Sequence, residues 1–360
     1  MIVALLFGSF ALLLILRVPI GISLGMSSLV TIFASGVVQP TYLAQGLVTG
    51  ADSFSLMAVP FFVLAGELMA TGGISRRLLN IADAFLGRKY GGLALVTVVA
   101  CMFFAAISGS GPATVAAIGG LTIPSMLKQG YDRPFAGAIS AAAGSIGVII
   151  PPSIPMVMFC VATGVSVGAM FMGGVIPGLL IGVSLCLYSS LYSKKHKYIN
   201  AEAAPFSWGN VGRSLADGIW ALLVPVIILG GIYGGIFTPT EAAAVAVAYG
   251  LIVGLFVYRD LKAKDLYRIF GSAALTTATI MVILGTATTF GRILTLERIP
   301  TMIADFFESV AKGPIMLMIL INILLLIVGC FMETNAAIII LAPIFLPIVE
   351  SMGINPVHFG

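Results

Sequence analysis

The sequence predicts an all-α polytopic membrane protein with inverted repeats, two re-entrant helical hairpins and discontinuous helices. Three observations predict it. Of the 360 residues, 59% are hydrophobic and only 9% charged, with a mean hydropathy of +1.13, far more apolar than a soluble domain of this length needs to be. The apolar runs are continuous rather than alternating, which excludes a β-barrel. Two stretches, Ser108-Gly109-Ser110-Gly111-Pro112 and Gly144 through Pro155, set backbone-breaking residues inside hydrophobic sequence. In lipid an unpaired N–H or C=O is costly, so irregular backbone survives at membrane depth only where protein or a water-filled cavity satisfies it.

The run 2–16 reads as an uncleaved first helix, because no basic segment precedes it and Arg17 with Pro19 leads straight into a second span, 18–38. A third span covers 47–71, and the amphipathic stretch 74–89 after it reads as an arm lying along the bilayer surface. Next come an interrupted hairpin (91–127), a broken span (133–165), and spans at 168–192, 215–237, 239–258 and 270–296. A second arm, 297–312, and a second interrupted hairpin, 313–350, complete the order. With both hairpins re-entrant, fifteen of the 18 Lys and Arg residues fall on one face. The other face keeps only Arg292, Arg298 and Lys312, so the first is cytoplasmic.

The chain repeats itself at an offset of about 224: Gly66 through Ile74 aligns with Gly291 through Ile299, and Pro124 through Gly130 with Pro347 through Gly353. The hairpins open to opposite faces, so the repeats are inverted, a plan that holds substrate at the midplane between discontinuous helices. The first half continues beyond its hairpin into a broken helix. The repeat therefore predicts about sixty more residues after Gly360.

At the first tip, Ser108 and Ser110 offer hydroxyls and Gly109 its carbonyl, oxygen ligands that suit a hard cation at the end of a half-helix. A tight packing turn would use the same glycines. In the broken span, Pro151, Pro152 and Pro155 lack N–H donors and free the carbonyls from Gly147 to Ile150, while Ser145 and Ser153 add hydroxyls. A plain proline kink is the alternative. The second tip, Gly329 through Asn335, carries Glu333, Thr334 and Asn335 inside an apolar hairpin. A carboxylate at that depth is a candidate cation, proton or substrate ligand, with a structural salt bridge as the competing account. Asp52, Glu67 and Arg292 read as solvated rim residues, and Thr238-Pro239-Thr240-Glu241 as a helix cap. The four cysteines read as buried small hydrophobes. No nucleotide-binding motif, metal box or catalytic cluster occurs, so the chain is not expected to be an enzyme or to have a nucleic-acid partner.

These residues resemble the large membrane subunit of the tripartite ATP-independent periplasmic (TRAP) transporters. The most specific parts are Val59 through Glu67, Ser108-Gly109-Ser110, Ile150 through Pro155, Gly235 through Ala242 and the acidic second tip. The resemblance implies an elevator-type ion transporter of the bacterial inner membrane, driven by Na⁺. It further implies an organic acid delivered by a periplasmic binding protein, and a separate small membrane subunit beside the large one, in contact with lipid. On that plan 1–72 and 215–296 are scaffold, 73–90 and 297–312 arms, and 91–165 and 313–350 transport-domain elements. Segment 166–192 is a transmembrane helix, 193–214 a cytoplasmic loop and 351–360 the start of a final segment. Carried over, Na⁺ sites use Ser108, Gly109, Ser110, Ser145, Gly147, Ile150 and Pro152 at one tip, and Gly329, Glu333 and Thr334 at the other. The substrate is expected at Ser110, Ser153, Glu333 and Asn335. The family often has aspartate where Glu333 stands. A stand-alone carboxylate or inorganic-anion transporter of related inverted-repeat architecture is the second reading; a membrane scaffold or enzyme is a third.

Overall fold

The computed structural model describes residues 2–36, 39–198, 207–299, 301–303, 313–330 and 332–360, and the regular structure among them is helical. In chain order the helices are α1 (Ile2–Ile15), α2 (Ile20–Ser35), α3 (Thr41–Ala51), α4 (Ala58–Thr71), α5 (Ile74–Leu86) and α6 (Gly92–Ser108). Then follow α7 (Gly111–Thr114), a π turn (Val115–Gly119), α8 (Gly120–Lys128), α9 (Arg133–Ser145), α10 (Ile154–Thr163) and α11 (Val167–His196). The remainder are α12 (Trp208–Tyr233), α13 (Pro239–Ile252), α14 (Ala263–Leu296), α15 (Pro314–Gly329), α16 (Thr334–Ser351) and α17 (Pro356–Phe359). Among the described residues α11, α12, α13 with the π turn Val253–Val257 that continues it, α14 and α16 are each long and apolar enough to cross a membrane.

The helices form two compact units. One gathers Met1–Leu56, Val157–Ser166 and Leu275–Gly360. Its helices approach through small residues: Cβ atoms on Gly21 and Gly25 of α2 would press on Ile283 and Thr286 of α14, and on Gly46 and Gly50 of α3 they would strike Thr289 and Thr288. Such small-residue seams let apolar helices meet where water gives no driving force. Phe290 closes the seam against the rings of Phe7 and Phe10, at 5.8 and 5.6 Å. In the second hairpin, Leu317 and Ile321 near the start of α15 pack on Phe345, Ile348 and Val349 near the end of α16. The chain therefore doubles back.

The other unit gathers Met57–Met156 and Val167–Ala274. Here Tyr198 fastens the mouth of the first hairpin. Its carbonyl accepts from Gly91 N–H (2.9 Å) at the foot of α6, and its hydroxyl accepts from Asp132 N–H (3.4 Å) just beyond α8. Both limbs thus return to one place, as a re-entrant hairpin must. Arm α5 is pinned by Arg77, which pairs with Asp217 (3.5 Å) and Asp260 (2.6 Å) and lies 3.6 Å over the Tyr258 ring. Thr238 and Glu241 form the expected cap in its reciprocal form: Thr238 Oγ1 accepts from Glu241 N–H, and the Glu241 carboxylate accepts from Thr238 N–H.

Several expectations change. Span 47–71 is two helices, α3 and α4, separated by a break whose Asp52 and Ser53 are polar. Helix α12 begins at Trp208 and α14 at Ala263, before the apolar runs that reveal them: α14 opens with Lys264 and Asp265, and the first two turns of α12 hold Asn210 and Arg213. Helix α11 runs on to His196, leaving little of loop 193–214, of which 199–206 lie outside the described residues. Of the second arm, 304–312 also lie outside them. Glu67 is half-buried and accepts a hydrogen bond from Ser272 Oγ (3.0 Å), so it is no rim residue. Arg292 lines a cavity instead of standing free in solvent. Cys101 and Cys160 are buried as expected, but Cys186 is half-buried and Cys330 exposed.

Candidate functional site: the two hairpin tips

Helix α6 ends at Gly109, whose left-handed φ of +60° and lack of a Cβ let its N–H return to Ala105 O (3.2 Å). A Cβ there would stand 2.8 Å from Pro152 O. The Gly109 carbonyl accepts from Ile154 N–H (3.0 Å), tying the tip to the first turn of α10. Ser110 turns extended (φ −135°, ψ 123°) and caps α7, accepting from Ala113 N–H (3.4 Å).

Three oxygens converge at the turn. Ser108 Oγ is buried 3.0 Å from Thr114 Oγ1, and Thr114 Oγ1 donates to the Ser110 carbonyl (2.8 Å). Gly147, in the tight turn Ile146–Val148 after α9, abuts this cluster: a Cβ on it would come 2.5 Å from Thr114 Oγ1 and 2.8 Å from Ser110 O. A Cβ on Gly144 would collide with the Val115 side chain. The tip therefore seats in a notch made by two glycines of the broken span.

The structure brings Ser108, Gly109, Ser110, Gly147 and Pro152 together, but not every expected residue. Ser145 is exposed and donates to Ala142 O (2.8 Å) on its own helix. Ile150 sends its N–H back to Ile146 O (3.0 Å), and its side chain packs where Gly178 of α11 leaves room. Ser153 is fully buried, donating to Val148 O (2.7 Å) and accepting from Met156 N–H (3.3 Å), so it staples the two halves of the broken span. Thr114 is a central member of the cluster that the sequence reading left out of its ligand set. Its position four residues after Ser110, one helical turn on, is the signal that could have found it.

At the second tip α15 ends with Cys330 N–H on Ile327 O (3.2 Å) and Met332 N–H on Val328 O (2.9 Å). Glu333 is extended (φ −69°, ψ 143°) and caps α16: one carboxylate oxygen accepts from Ala336 N–H (3.1 Å), the other from Asn335 Nδ2 (2.8 Å). A carboxylate is favoured there by the positive end of the helix. Glu333 and Thr334 are exposed, whereas Asn335 Oδ1 is buried and has no hydrogen-bond partner among the described residues. The tip therefore presents one unsatisfied buried acceptor beside a carboxylate. Both tips offer oxygen donors, and the Cys330 thiol at the second donates to Leu326 O (3.3 Å) on its own helix; oxygens of this kind suit a hard monovalent cation or a polar substrate.

Residues 7–360 match the family described as tripartite ATP-independent periplasmic transporter, DctM component. The isethionate TRAP transporter permease protein DctMQ of Oleidesulfovibrio alaskensis is 53% identical over 99% of this chain and 56% of its own length, so this chain spans little more than half of that relative. The C4-dicarboxylate TRAP transporter large permease protein DctM of Pseudomonas aeruginosa is 44% identical over 94% of this chain and 79% of that protein. Among solved structures, the Alcanivorax borkumensis YdaH transporter, described as having an unusual topology, superposes with a TM-score of 0.57 at 16% identity. That match covers 88% of this chain and 74% of that one, a likeness of fold alone.

Proposed function

This chain belongs to the DctM component family of the tripartite ATP-independent periplasmic transporters, inner-membrane permeases, and on that premise we propose that it carries out Na⁺-coupled uptake of a small organic acid. The substrate would be handed over by a periplasmic binding protein, with a small membrane subunit beside this chain. The relatives are named for isethionate and C4-dicarboxylates, which supports a small acid as the class of substrate.

One observation carries the coupling: Ser108 Oγ, Thr114 Oγ1 and the Ser110 carbonyl crowd together against Gly147 in a turn flanked by apolar helix. A cation among these oxygens would satisfy lone pairs that lipid cannot, and would hold the turn in one geometry. Movement of a hairpin-bearing body as an elevator is part of the same proposal.

The test is uptake of isethionate or succinate into proteoliposomes holding the complete system, with and without a Na⁺ gradient. Ser108→Ala and Thr114→Val, which remove the two hydroxyl oxygens of the cluster, are expected to raise the Na⁺ concentration for half-maximal uptake several-fold at equal membrane abundance. Unaltered Na⁺ dependence in both variants would remove the tip from the coupling.

A further inference from the structure

Two cavities occupy the same register of the two repeats. In one unit a cavity of about 360 Å³ is walled by Ile339, Ile340, Pro343 and Ile344 of α16 together with the end of α14. In the other unit a cavity of about 400 Å³ is walled by Ala116, Ala117, Gly120 and Leu121 on the outgoing limb of the first hairpin, together with the end of α4. Pro124 aligns with Pro347 and Gly130 with Gly353, an offset of 223. That offset carries Ala116, Ala117, Gly120 and Leu121 onto Ile339, Ile340, Pro343 and Ile344, position for position. On the preceding span, where Gly66 aligns with Gly291, Ala70 of one cavity falls on Thr295 of the other. Unrelated hollows have no reason to choose the same positions of a repeat.

The linings say what such a cavity would take. Arg292 lines the first cavity together with Thr49, Ser53, Thr288 and Thr295. It donates to Thr49 Oγ1 (3.2 Å) and stands 5.8 Å over the Tyr42 ring. Among the described residues no carboxylate lies within ion-pair distance of it. A guanidinium has five N–H donors in a fork that matches an oxyanion, and one hydroxyl leaves most of them unused. The volume falls in the range of small-molecule sites, about 300–1,000 Å³. Charge bias makes Arg292 one of three cations outside the cytoplasmic set, on the face from which a periplasmic solute comes. The other cavity carries Arg76 of the cytoplasmic set with Thr71 and Ser75, and Asp260 there is already paired with Arg77.

We infer that the Arg292 cavity is a receiving vestibule for the acidic group, carboxylate or sulfonate, of a small organic anion, and that the Arg76 cavity is its repeat-related counterpart for release. The inference rests on the uptake reading for the direction of travel. The preference for an anion is measured without transport.

Thr295 is exposed at the cavity wall, so Thr295→Cys gives a reporter once the four native cysteines are replaced by alanine. The full chain in phosphatidylcholine nanodiscs is treated with 2-sulfonatoethyl or 2-(trimethylammonio)ethyl methanethiosulfonate, small reagents of opposite charge. The anionic-to-cationic rate ratio is expected to fall roughly ten- to a hundredfold with Arg292→Gln, and to be largely kept by Arg292→Lys. A ratio that ignores Arg292→Gln in folded protein overturns the inference. So does a ratio that phosphatidylglycerol lowers in the parent far more than in Arg292→Gln at high ionic strength, where surface potential is screened, which would assign the cavity to a lipid headgroup. Failure of uptake with the ratio intact would sink the transport reading and leave the anion cavity standing.

Discussion

The two hairpins answer one problem, irregular backbone within an apolar segment, in different ways. The first tip is closed: Ser108 and Thr114 are buried, the Gly109 carbonyl is bound by Ile154 N–H, and Gly144 and Gly147 of the broken span give it a seat. The second tip is open: Glu333, Thr334 and Cys330 are exposed, and Glu333 satisfies the helix start from within its own hairpin. A tip that borrows a neighbour's backbone is held by shape. A tip that caps itself is held by one charged side chain.

The contrast can be broken most forcefully at glycine. Gly147→Ala drives a Cβ into the Thr114 hydroxyl and into the Ser110 carbonyl, the latter backbone that cannot step aside, and overpacking of this kind costs about 1–3 kcal/mol. Gly329→Ala at the second tip meets nothing within 4 Å and replaces a helical glycine, so it should be neutral or stabilising by up to about 1 kcal/mol. Thermal unfolding of the two variants in one detergent decides; equal losses would mean that the tips are not held differently.

A smaller effect tests the self-made cap. Glu333→Ala should destabilise by about 1 kcal/mol through loss of the bond from Ala336 N–H, whereas Glu333→Asp should retain most of it, aspartate being a strong cap. If both variants melt with the parent, the carboxylate is not what holds α16. The mildest probe leaves stability untouched: a maleimide should modify Cys330 well before Cys101, which lies buried in the first hairpin. Comparable rates would show the first hairpin to be as open as the second.

Much of this was legible in the sequence, for reasons that differ by residue. Ser-Gly-Ser-Gly-Pro and the prolines of the broken span announce themselves because few other roles tolerate them in lipid, and the fifteen-to-three charge bias turns both interrupted segments into hairpins. Thr238 and Glu241 were readable because a capping box is local. What stayed hidden was long-range. Nothing near Arg77 in sequence points to Asp217, Asp260 and Tyr258, and nothing beside Gly144 or Gly147 names the residues of the tip that fill their space. Helix α11 hides its working face because it is apolar all round; only its glycines at 174, 178 and 182, against Met156, Ile150 and Met102, reveal which side packs. Helix ends were misjudged wherever charged turns extend an apolar run, as at α12 and α14.

The clasp at Tyr198 has a consequence for biogenesis. Asp132 lies 66 residues before the tyrosine that holds it, and Gly91 lies earlier still. At roughly 5–20 residues per second, a ribosome leaves the base of the first hairpin unlatched for several seconds after both its limbs have emerged. During that interval the nascent segment must be sheltered by the insertion machinery or rest at the membrane surface, and only the arrival of Tyr198, just past the end of α11, locks it in place.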